Sequence, residues 1–369
     1  MFILILGAIV LGLVLLQAYV YRKFWAHALT LDFRFSARDA FEGDTLYFHT
    51  EITNKKILPL PWLMLKYSLS NALIFPEGSQ VEMGESVKTG LFSVMAYRRV
   101  RRKVEFTCSK RGFYRLRHVQ ITAANLLHSN TFRKELACYG ELTVFPRLLE
   151  HIDEIEIATN TIDTMLLSHS LINPDPFTFR GLREYIPTDP LRNVNFKATA
   201  VAGQLMVNIH QPTSAKRLEI ILNLEQYAPT TEPELYEQAI RLAATLAQHY
   251  ISQDVMLGFY TNGCDSFTAE SVRLPSGASA AQLYAVYHAL GRLGLAFRPN
   301  SITRYLDELT DAGSIYVLIS TCQNEEIAAS LVALKARNLR VHTIMPISQG
   351  MTIPAATPIE ATLWEALPC

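Results

Sequence analysis

The chain has 369 residues, 49% of them hydrophobic, with 34 Lys and Arg against 34 Asp and Glu and only five cysteines. That much apolar material excludes a disordered chain, the sparse cysteines exclude a disulfide scaffold, and the absence of net charge argues against a general nucleic-acid binder. The length suits two or three domains, and the charge balance conceals a division: residues 1–150 carry 20 Lys and Arg against 12 Asp and Glu, whereas residues 151–369 carry 14 against 22. The pattern is a basic front body and an acidic rear body, two units with different neighbours.

The stretch Met1–Tyr21 holds no charge and one weakly polar residue, Gln17. As a helix it spans roughly 30 Å, about one bilayer core, with its backbone polar groups satisfied internally as lipid requires. Arg22 and Lys23 follow at once, then Trp25 and His27, and nothing basic precedes the run. The positive-inside rule puts the Arg-Lys side in the cytoplasm. A cleavable signal peptide is the rival reading, but it needs a basic start and a small-x-small cleavage site, which Leu16-Gln17-Ala18-Tyr19 does not provide. The expectation is a transmembrane anchor over residues 1–23, a single pass, and a body on the cytoplasmic face of the cell membrane. The cysteines agree: Cys108, Cys138, Cys264, Cys322 and Cys369 are scattered, with no C-x-x-C, as reduced and buried thiols would be.

From about residue 30 to 150 the chain reads as short alternating strands, among them Thr45–Ile52, Pro61–Tyr67, Val104–Cys108, Phe113–Leu116 and Leu142–Phe145, with turn residues about every ten positions. Strands of that period and spacing describe an antiparallel β-sandwich. The one dense basic run, Arg98, Arg99, Arg101, Arg102 and Lys103, reads either as attraction to anionic inner-leaflet lipid or as a strand whose outward face is basic. No aromatic stacking pattern accompanies it, so nucleic acid is not expected.

Residues 151–215 read as a connecting segment, and within it Arg180–Ala200 carries the densest polar signature of the chain. Arg180, Arg183, Glu184, Asp189, Arg192 and Lys197 are interleaved with Gly181, Pro187 and Pro190 and stand beside Tyr185, Ile186, Val194 and Phe196. Arg and carboxylate pair bidentately and fix geometry, and burial demands full pairing, so the stretch reads as an ion-paired joint or a partner-docking surface. A catalytic Asp/Glu site is the alternative, without a His or Cys nearby in sequence to serve it.

After Pro212 the period changes. Leu218–Leu224, Val255–Tyr260, Ser314–Ser320 and Arg340–Met345 read as strands, and Glu232–Ser252, Ala280–Leu293, Ile302–Ala312 and Glu325–Arg337 as helices. Alternating strands and helices imply a parallel sheet covered on both faces over residues 216–350, with any ligand at the carboxyl ends of the strands. Residues 351–369 form a mixed tail that either packs on the sandwich or binds a partner. His210 and His249 read as packed or surface residues. Phosphate-loop, dinucleotide, zinc-protease and nucleophile-elbow motifs do not occur.

The string Gly181-x-Arg183-Glu184-Tyr185-x-Pro187-x-Asp189-x-x-Arg192, continued by Lys197-Ala198-Thr199-Ala200, resembles the hallmark of the family called domain of unknown function 58. Glu42-Gly43-Asp44 with Pro61-Trp62-Leu63, Lys110-Arg111-Gly112-Phe113-Tyr114 and Val144-Phe145-Pro146-Arg147 resemble its other landmarks across nearly the whole chain; Thr188 and Phe196 depart from its usual Gly and Trp. The resemblance implies a von Willebrand factor A-like rear domain, and a MoxR-type AAA+ ATPase as partner. Domains of that kind hold a divalent ion with Asp-x-Ser-x-Ser after the first strand. Here the corresponding positions are Asn223, Glu225 and Tyr227, and the later loop reads Ser320-Thr321-Cys322-Gln323. One carboxylate is too few for a hard cation, so neither a metal nor another cofactor is expected. The expected whole is an α+β multidomain protein: a transmembrane helix, an antiparallel β-sandwich, and an α/β parallel-sheet domain acting as a membrane-anchored, non-catalytic adaptor. A hydrolase with a cryptic site and a stand-alone envelope scaffold are the alternatives.

Overall fold

The uncharged stretch after Met1 winds into α1 (Phe2–Phe24), and no residue of its most apolar eighteen is buried. It is long and apolar enough to cross a membrane. The computed structural model describes residues 1–76, 80–82, 85–126, 130–150, 152–172, 174–187, 189–212, 216–225, 233–295, 300–322, 324–347 and 361–365. The chain divides into two units, Met1–Arg147 and Leu148–Cys369.

In the first unit α1 is followed by β1 (Leu29–Phe35), β2 (Asp39–Phe41), β3 (Thr45–Asn54), β4 (Leu60–Ser70), β5 (Leu73–Ile74), β6 (Gln80–Glu82), β7 (Glu85–Val94), β8 (Arg99–Cys108), β9 (Gly112–Ala124) and β10 (Thr131–Phe145). They form two sheets, ordered β1-β3-β8-β5 and β2-β10-β9-β4-β7-β6, antiparallel throughout except where β2 runs parallel to β10. Period-two burial drives the pairing of the sheets: Phe48 and Ile52 from β3 and Phe106 from β8 meet Leu63 and Leu65 from β4 and Ile121 from β9, all fully buried in one core. Each such side chain contributes about 1.5–3 kcal/mol on leaving water. Tyr67 crosses between the sheets, its ring 5.3 Å from Phe48 and 6.1 Å from Phe33. The inward phase of β9 shifts between Leu116 and Val119, opposite a bulge at Ala137/Gly140 of β10, the local device by which a strand re-aims its side chains. Gly43, at φ 100°, turns the chain into β3, where Asp44 Oδ2 accepts from the Phe41 amide at 2.8 Å.

The last turn of α1 is built into this sandwich. Tyr21 and Trp25 are buried in its core, the Tyr21 hydroxyl donates to Pro59 O at 2.8 Å, and Trp25 stacks on Phe132 with centroids 6.1 Å apart. Lys56 Nζ donates to the carbonyls of Trp25 (2.7 Å) and His27 (2.8 Å), groups that the end of a helix leaves unsatisfied. Burial lowers the Lys56 pKa to about 8.

The second unit opens with α2 (Ile152–Ile172), β11 (Pro174–Glu184), α3 (Phe196–Ala202) and β12 (Met206–Pro212). The sheet follows: β13 (Arg217–Asn223), α4 (Pro233–Ser252), β14 (Met256–Asp265), β15 (Ser271–Gly277), α5 (Ala280–Arg292), β16 (Leu293–Gly294), α6 (Thr303–Glu308), β17 (Ile315–Ser320), α7 (Glu325–Ala336), β18 (Arg340–Ile347) and β19 (Ala361–Glu365). Its order is β15-β14-β13-β17-β18-β19, with β16 also on β14. The run from β14 to β19 is parallel and β15 and β16 are antiparallel, so the sheet is mixed. Ile220–Leu222 and Ile315–Ile319 are buried without alternation, the mark of strands covered on both faces. Ile302, Leu306, Leu331 and Leu334 from α6 and α7 pack with Ile221 and Leu318 in one cluster, and α4 joins α2 through the Tyr250 hydroxyl on Asp163 at 3.1 Å.

Three expectations need correction. The connecting segment contains a 21-residue helix, α2, because Ala158, Ile162 and Leu166 repeat at the four-residue spacing of one helix face and are buried. The tail is not separate: residues 361–365 pair in parallel with β18, and Trp364 is 1% exposed. The helix expected over Ile302–Ala312 ends at Glu308, since Asp311 binds the Gly313 amide (2.9 Å) and the Ser314 hydroxyl (2.7 Å) in a local turn that competes with helix. Trp364→Ala is expected to cost about 3–5 kcal/mol as a large core truncation, measured as a drop in the urea midpoint of the detergent-solubilised chain, with exposed Tyr139→Ala as the silent comparison.

Candidate functional site

The signature is folded as a hairpin carrying an inserted helix. Leu182, Arg183 and Glu184 of β11 pair with Asn208, Val207 and Met206 of β12, and Gly181 pairs with Ile209. Between them run a 3-10 turn (Leu191–Asn193) and α3. Asn195 caps α3, its Oδ1 accepting from the Ala198 amide at 3.0 Å and its Nδ2 donating to Asn208 Oδ1 at 2.8 Å. Gly203, at φ 71°, ends the helix in the left-handed conformation that glycine adopts without strain.

Arg183 clamps the loop. Nη1 and Nη2 donate to the two carboxylate oxygens of Asp189, each at 2.6 Å, and Asp189 also accepts from the Ile186 amide at 3.0 Å. The guanidinium, then the amide, hold the Asp189 carboxyl below its ordinary range, and Asp189 raises Arg183 in turn. Glu184 takes Gln204 Nε2 at 2.6 Å, and Tyr185 joins Leu205 through its backbone amide at 2.9 Å. Among the described residues the expected ion-paired joint therefore reduces to one fork. The Arg183 side chain remains 42% exposed, and Arg192 and Lys197 are exposed without an ion pair among the described residues. The Arg180 side chain, Thr188 and Tyr227 lie outside what is described, as does the His210 side chain. His249 meets Gln253 at 2.9 Å on the surface of α4.

The unexpected feature of the hairpin is apolar. Leu191, Phe196 and Val201 are 71%, 77% and 87% exposed, with Leu182, Ile186 and Leu205 beside them in sequence also exposed. An open concavity of about 440 Å³ is lined by Leu182, Asn195, Lys197, Ala198, Val201 and Met206. Nothing in the sequence signalled it: Phe196 and Val201 stand in the seven-residue α3, where apolar side chains would be expected to face inward.

Of the basic run, Arg99, Arg101 and Lys103 share one face of β8, while Arg102 is in the opposite phase, with Val100 and Val104 that pack on the core. Arg99 and Arg101 reach Glu51 across the ladder (3.2 and 2.7 Å), Arg102 lies over the Phe92 ring, and Lys103 lies 3.4 Å from the Tyr47 ring centre. Arg98 sits in the turn before the strand.

In the second unit the order of the sheet reverses between β13 and β17, where ligand crevices of doubly wound sheets open. Asn223 Nδ2 donates to Ser320 Oγ at 2.9 Å and to Cys322 Sγ at 3.6 Å. Its Oδ1 accepts from Asn262 Nδ2 (2.7 Å) and the Glu225 amide (3.1 Å). Burial raises the Glu225 pKa, against the Ile302 amide and the Ser301 hydroxyl that lower it, with Glu326 adding to the rise. A divalent cation wants several carboxylate oxygens; this cluster offers amides already engaged, a thiol raised by burial, and one carboxyl held toward its neutral form. The residues do not fit such an ion. Among the described residues no group of three or more His, Cys, Asp or Glu stands close enough to hold a metal. Cys108, Cys138, Cys264 and Cys322 are free and buried.

No protein-family profile and no curated protein matches the chain. Among solved structures it is similar to a non-cellulosomal cohesin from the archaeon Archaeoglobus fulgidus, at 17% identity over 31% of this chain and 91% of that one, TM-score 0.24. A CARDB domain from Pyrococcus furiosus, solved with di-metal ions, matches at 10% over 31% and 93%, TM-score 0.21. The sporulation control protein Spo0M of Bacillus subtilis matches at 13% over 43% and 58%, TM-score 0.20. Likenesses at this level assign no function.

The raised pKa of Glu225 has a sign that can be tested. Above the ordinary carboxyl value of 4.5 the unfolded chain releases this proton more readily than the folded one, so the group costs stability as pH rises from there through its folded value. Glu225→Gln is expected to raise Tm more at pH 7 than at pH 4 in thermal unfolding. A fall in Tm at pH 7 would mean that the ionised carboxylate is wanted.

Proposed function

We propose that the chain is a single-pass membrane protein whose body works in the cytoplasm as a non-catalytic adaptor, docking a protein partner through the hairpin of β11 and β12. The observation that carries the reading is the exposure of Leu191, Phe196 and Val201 in one short segment that begins at a loop tied by the Arg183–Asp189 fork. Large exposed apolar side chains suit an interaction site, and a loop already fixed loses little entropy on binding. Arg22 and Lys23 at the end of α1 support the cytoplasmic side. The parallel order around β13 and β17 supports a von Willebrand factor A-like rear domain, with its ion position replaced by the Asn223 cluster. The resemblance of the signature to the domain of unknown function 58 family supplies the partner class, a MoxR-type AAA+ ATPase that brings the nucleotide hydrolysis.

The test is recovery of tagged chain from gently solubilised membranes, followed by mass spectrometry and an ATPase assay. Phe196→Asp and Val201→Asp are expected to cut recovery of the ATPase at least tenfold, the scale of an interface hot spot. Arg183→Ala should also cut it by freeing the loop, and Glu225→Gln should leave it unchanged. Undiminished recovery with Phe196→Asp sinks the docking site, and turnover of a substrate by the purified chain alone sinks the non-catalytic reading.

A further inference from the structure

Three segments converge where α1 leaves its apolar stretch: residues 22–28 at the end of the helix and just beyond it, the 55–59 loop between β3 and β4, and the 95–98 turn between β7 and β8. They are joined by hydrogen bonds. The Lys55 amide donates to Ala28 O (3.0 Å), the Tyr97 amide to Lys56 O (3.2 Å), and buried Asn54 donates through Nδ2 to Leu58 O (2.9 Å) and Met95 O (3.1 Å). Lys56 and Tyr21 complete the ring on the carbonyls of Trp25, His27 and Pro59. The junction is therefore a fixed piece of structure, without a free linker between helix and sandwich.

What this ring exposes is unlike an ordinary protein surface. Ile57 is 78% exposed, Tyr97 70% and Met95 53%, with Phe24 exposed beside them. Tyr97 is held out from a backbone at φ 52°, a left-handed conformation that is unfavourable for a non-glycine residue. Arg22, Lys23, Lys55 and Arg98 are exposed, none with an ion pair among the described residues, and the three segments contain no Asp or Glu. Apolar and aromatic tips interspersed with cations and free of carboxylates suit one environment, the headgroup layer of a bilayer containing anionic lipid.

We propose that these segments form an interfacial collar, with Ile57 and Tyr97 inserted at the headgroup level and Arg22, Lys23, Lys55 and Arg98 on anionic lipid phosphates. The proposal rests on the reading of α1 as a membrane span, which continues directly into the collar. It also separates the basic run: Arg98 belongs to the collar, while Arg101 and Lys103 lie farther along β8, roughly 3.3 Å per residue from its start, engaged by Glu51 and Tyr47. Tyr139 makes a distant reference point. It is 88% exposed on β10, seven residues beyond the Phe132 that stacks on Trp25, or roughly 23 Å along an extended strand.

The test uses the full chain with Cys369→Ser, reconstituted into vesicles of phosphatidylcholine and phosphatidylglycerol. One accessible cysteine at a time, placed by Ile57→Cys, Tyr97→Cys, Tyr139→Cys or Leu11→Cys beside the four buried native thiols, carries an environment-sensitive nitrobenzoxadiazole label, read against lipids with nitroxides at the headgroup or deep in the chains and against the unsubstituted Cys369→Ser chain as the labelling blank. The expected result is a blue shift and headgroup-depth quenching at 57 and 97, deep quenching at 11, and water-like emission at 139. Labels at 57 and 97 that behave like 139 while 11 is deeply quenched overturn the collar and leave the span standing. A water-like label at 11 overturns both. Lys55→Glu with Arg98→Glu, in the Ile57→Cys chain, should weaken insertion roughly fivefold per charge removed in anionic vesicles and have little effect in phosphatidylcholine alone. Equal behaviour in the two vesicle types would overturn the lipid-phosphate contacts.

Discussion

Two cationic hydrogen bonds from Lys56 and one from the Tyr21 hydroxyl join an uncharged helix to a folded body. The last carbonyls of a helix need partners, and here the sandwich supplies one of them by a lysine drawn into partial burial, at the cost of a pKa lowered to about 8. Because Asn54 ties the same loops to β3 from within, the helix exit, the 55–59 loop and the 95–98 turn are one unit. The orientation of the first sheet with respect to α1 follows from that junction.

The second unit solves a different problem. Its central strands are mostly apolar on both faces, and the polar cluster of Asn223, Asn262, Ser320 and Cys322 gathers toward the carboxyl ends of the strands. At the ends of β13 and β17 stands an asparagine, Asn223. Both of its side-chain atoms are used, and the cluster closes on itself through Ser320, Cys322 and Asn262. On the hairpin the reverse holds: one ion-pair fork fixes a loop whose apolar residues stay outside. Fixed backbone with unburied Phe and Val is costly for a chain standing alone and useful to one with a partner.

Much of this was legible in the residues. The alternation of Thr45–Ile52 and Pro61–Tyr67 gave strands that the structure extends to Thr45–Asn54 and Leu60–Ser70, and the stripe Leu235, Ala239, Leu242 and Leu246 gave α4. What escaped has physical reasons. The α2 stripe is narrow and diluted by Asp, Asn and Thr; β15 and β19 are short strands recognisable only beside the sheet edges they pair with. The signature's charge density suggested a network, whereas among the described residues distance selects a single pair, Arg183 with Asp189, leaving Arg192 and Lys197 to solvent. That Phe196 and Val201 are exposed could not be read from composition, because apolar residues in a seven-residue helix ordinarily indicate burial.

The strand order of the second unit also carries a temporal meaning. In sequence β13 comes first; β14 then adds on one side, and β17, β18 and β19 add successively on the other. A chain emerging from the ribosome thus meets, at each new parallel strand, an edge already laid down, β17 taking the free side of β13, and does not have to insert one of these strands between two earlier ones. Growth outward from a first-made centre keeps the unpaired edge to one strand at a time on that side, which limits the exposed ladder open to wrong partners during synthesis. The strand bearing Trp364 comes after all the other described strands of its sheet, so among them it is the last to find its edge.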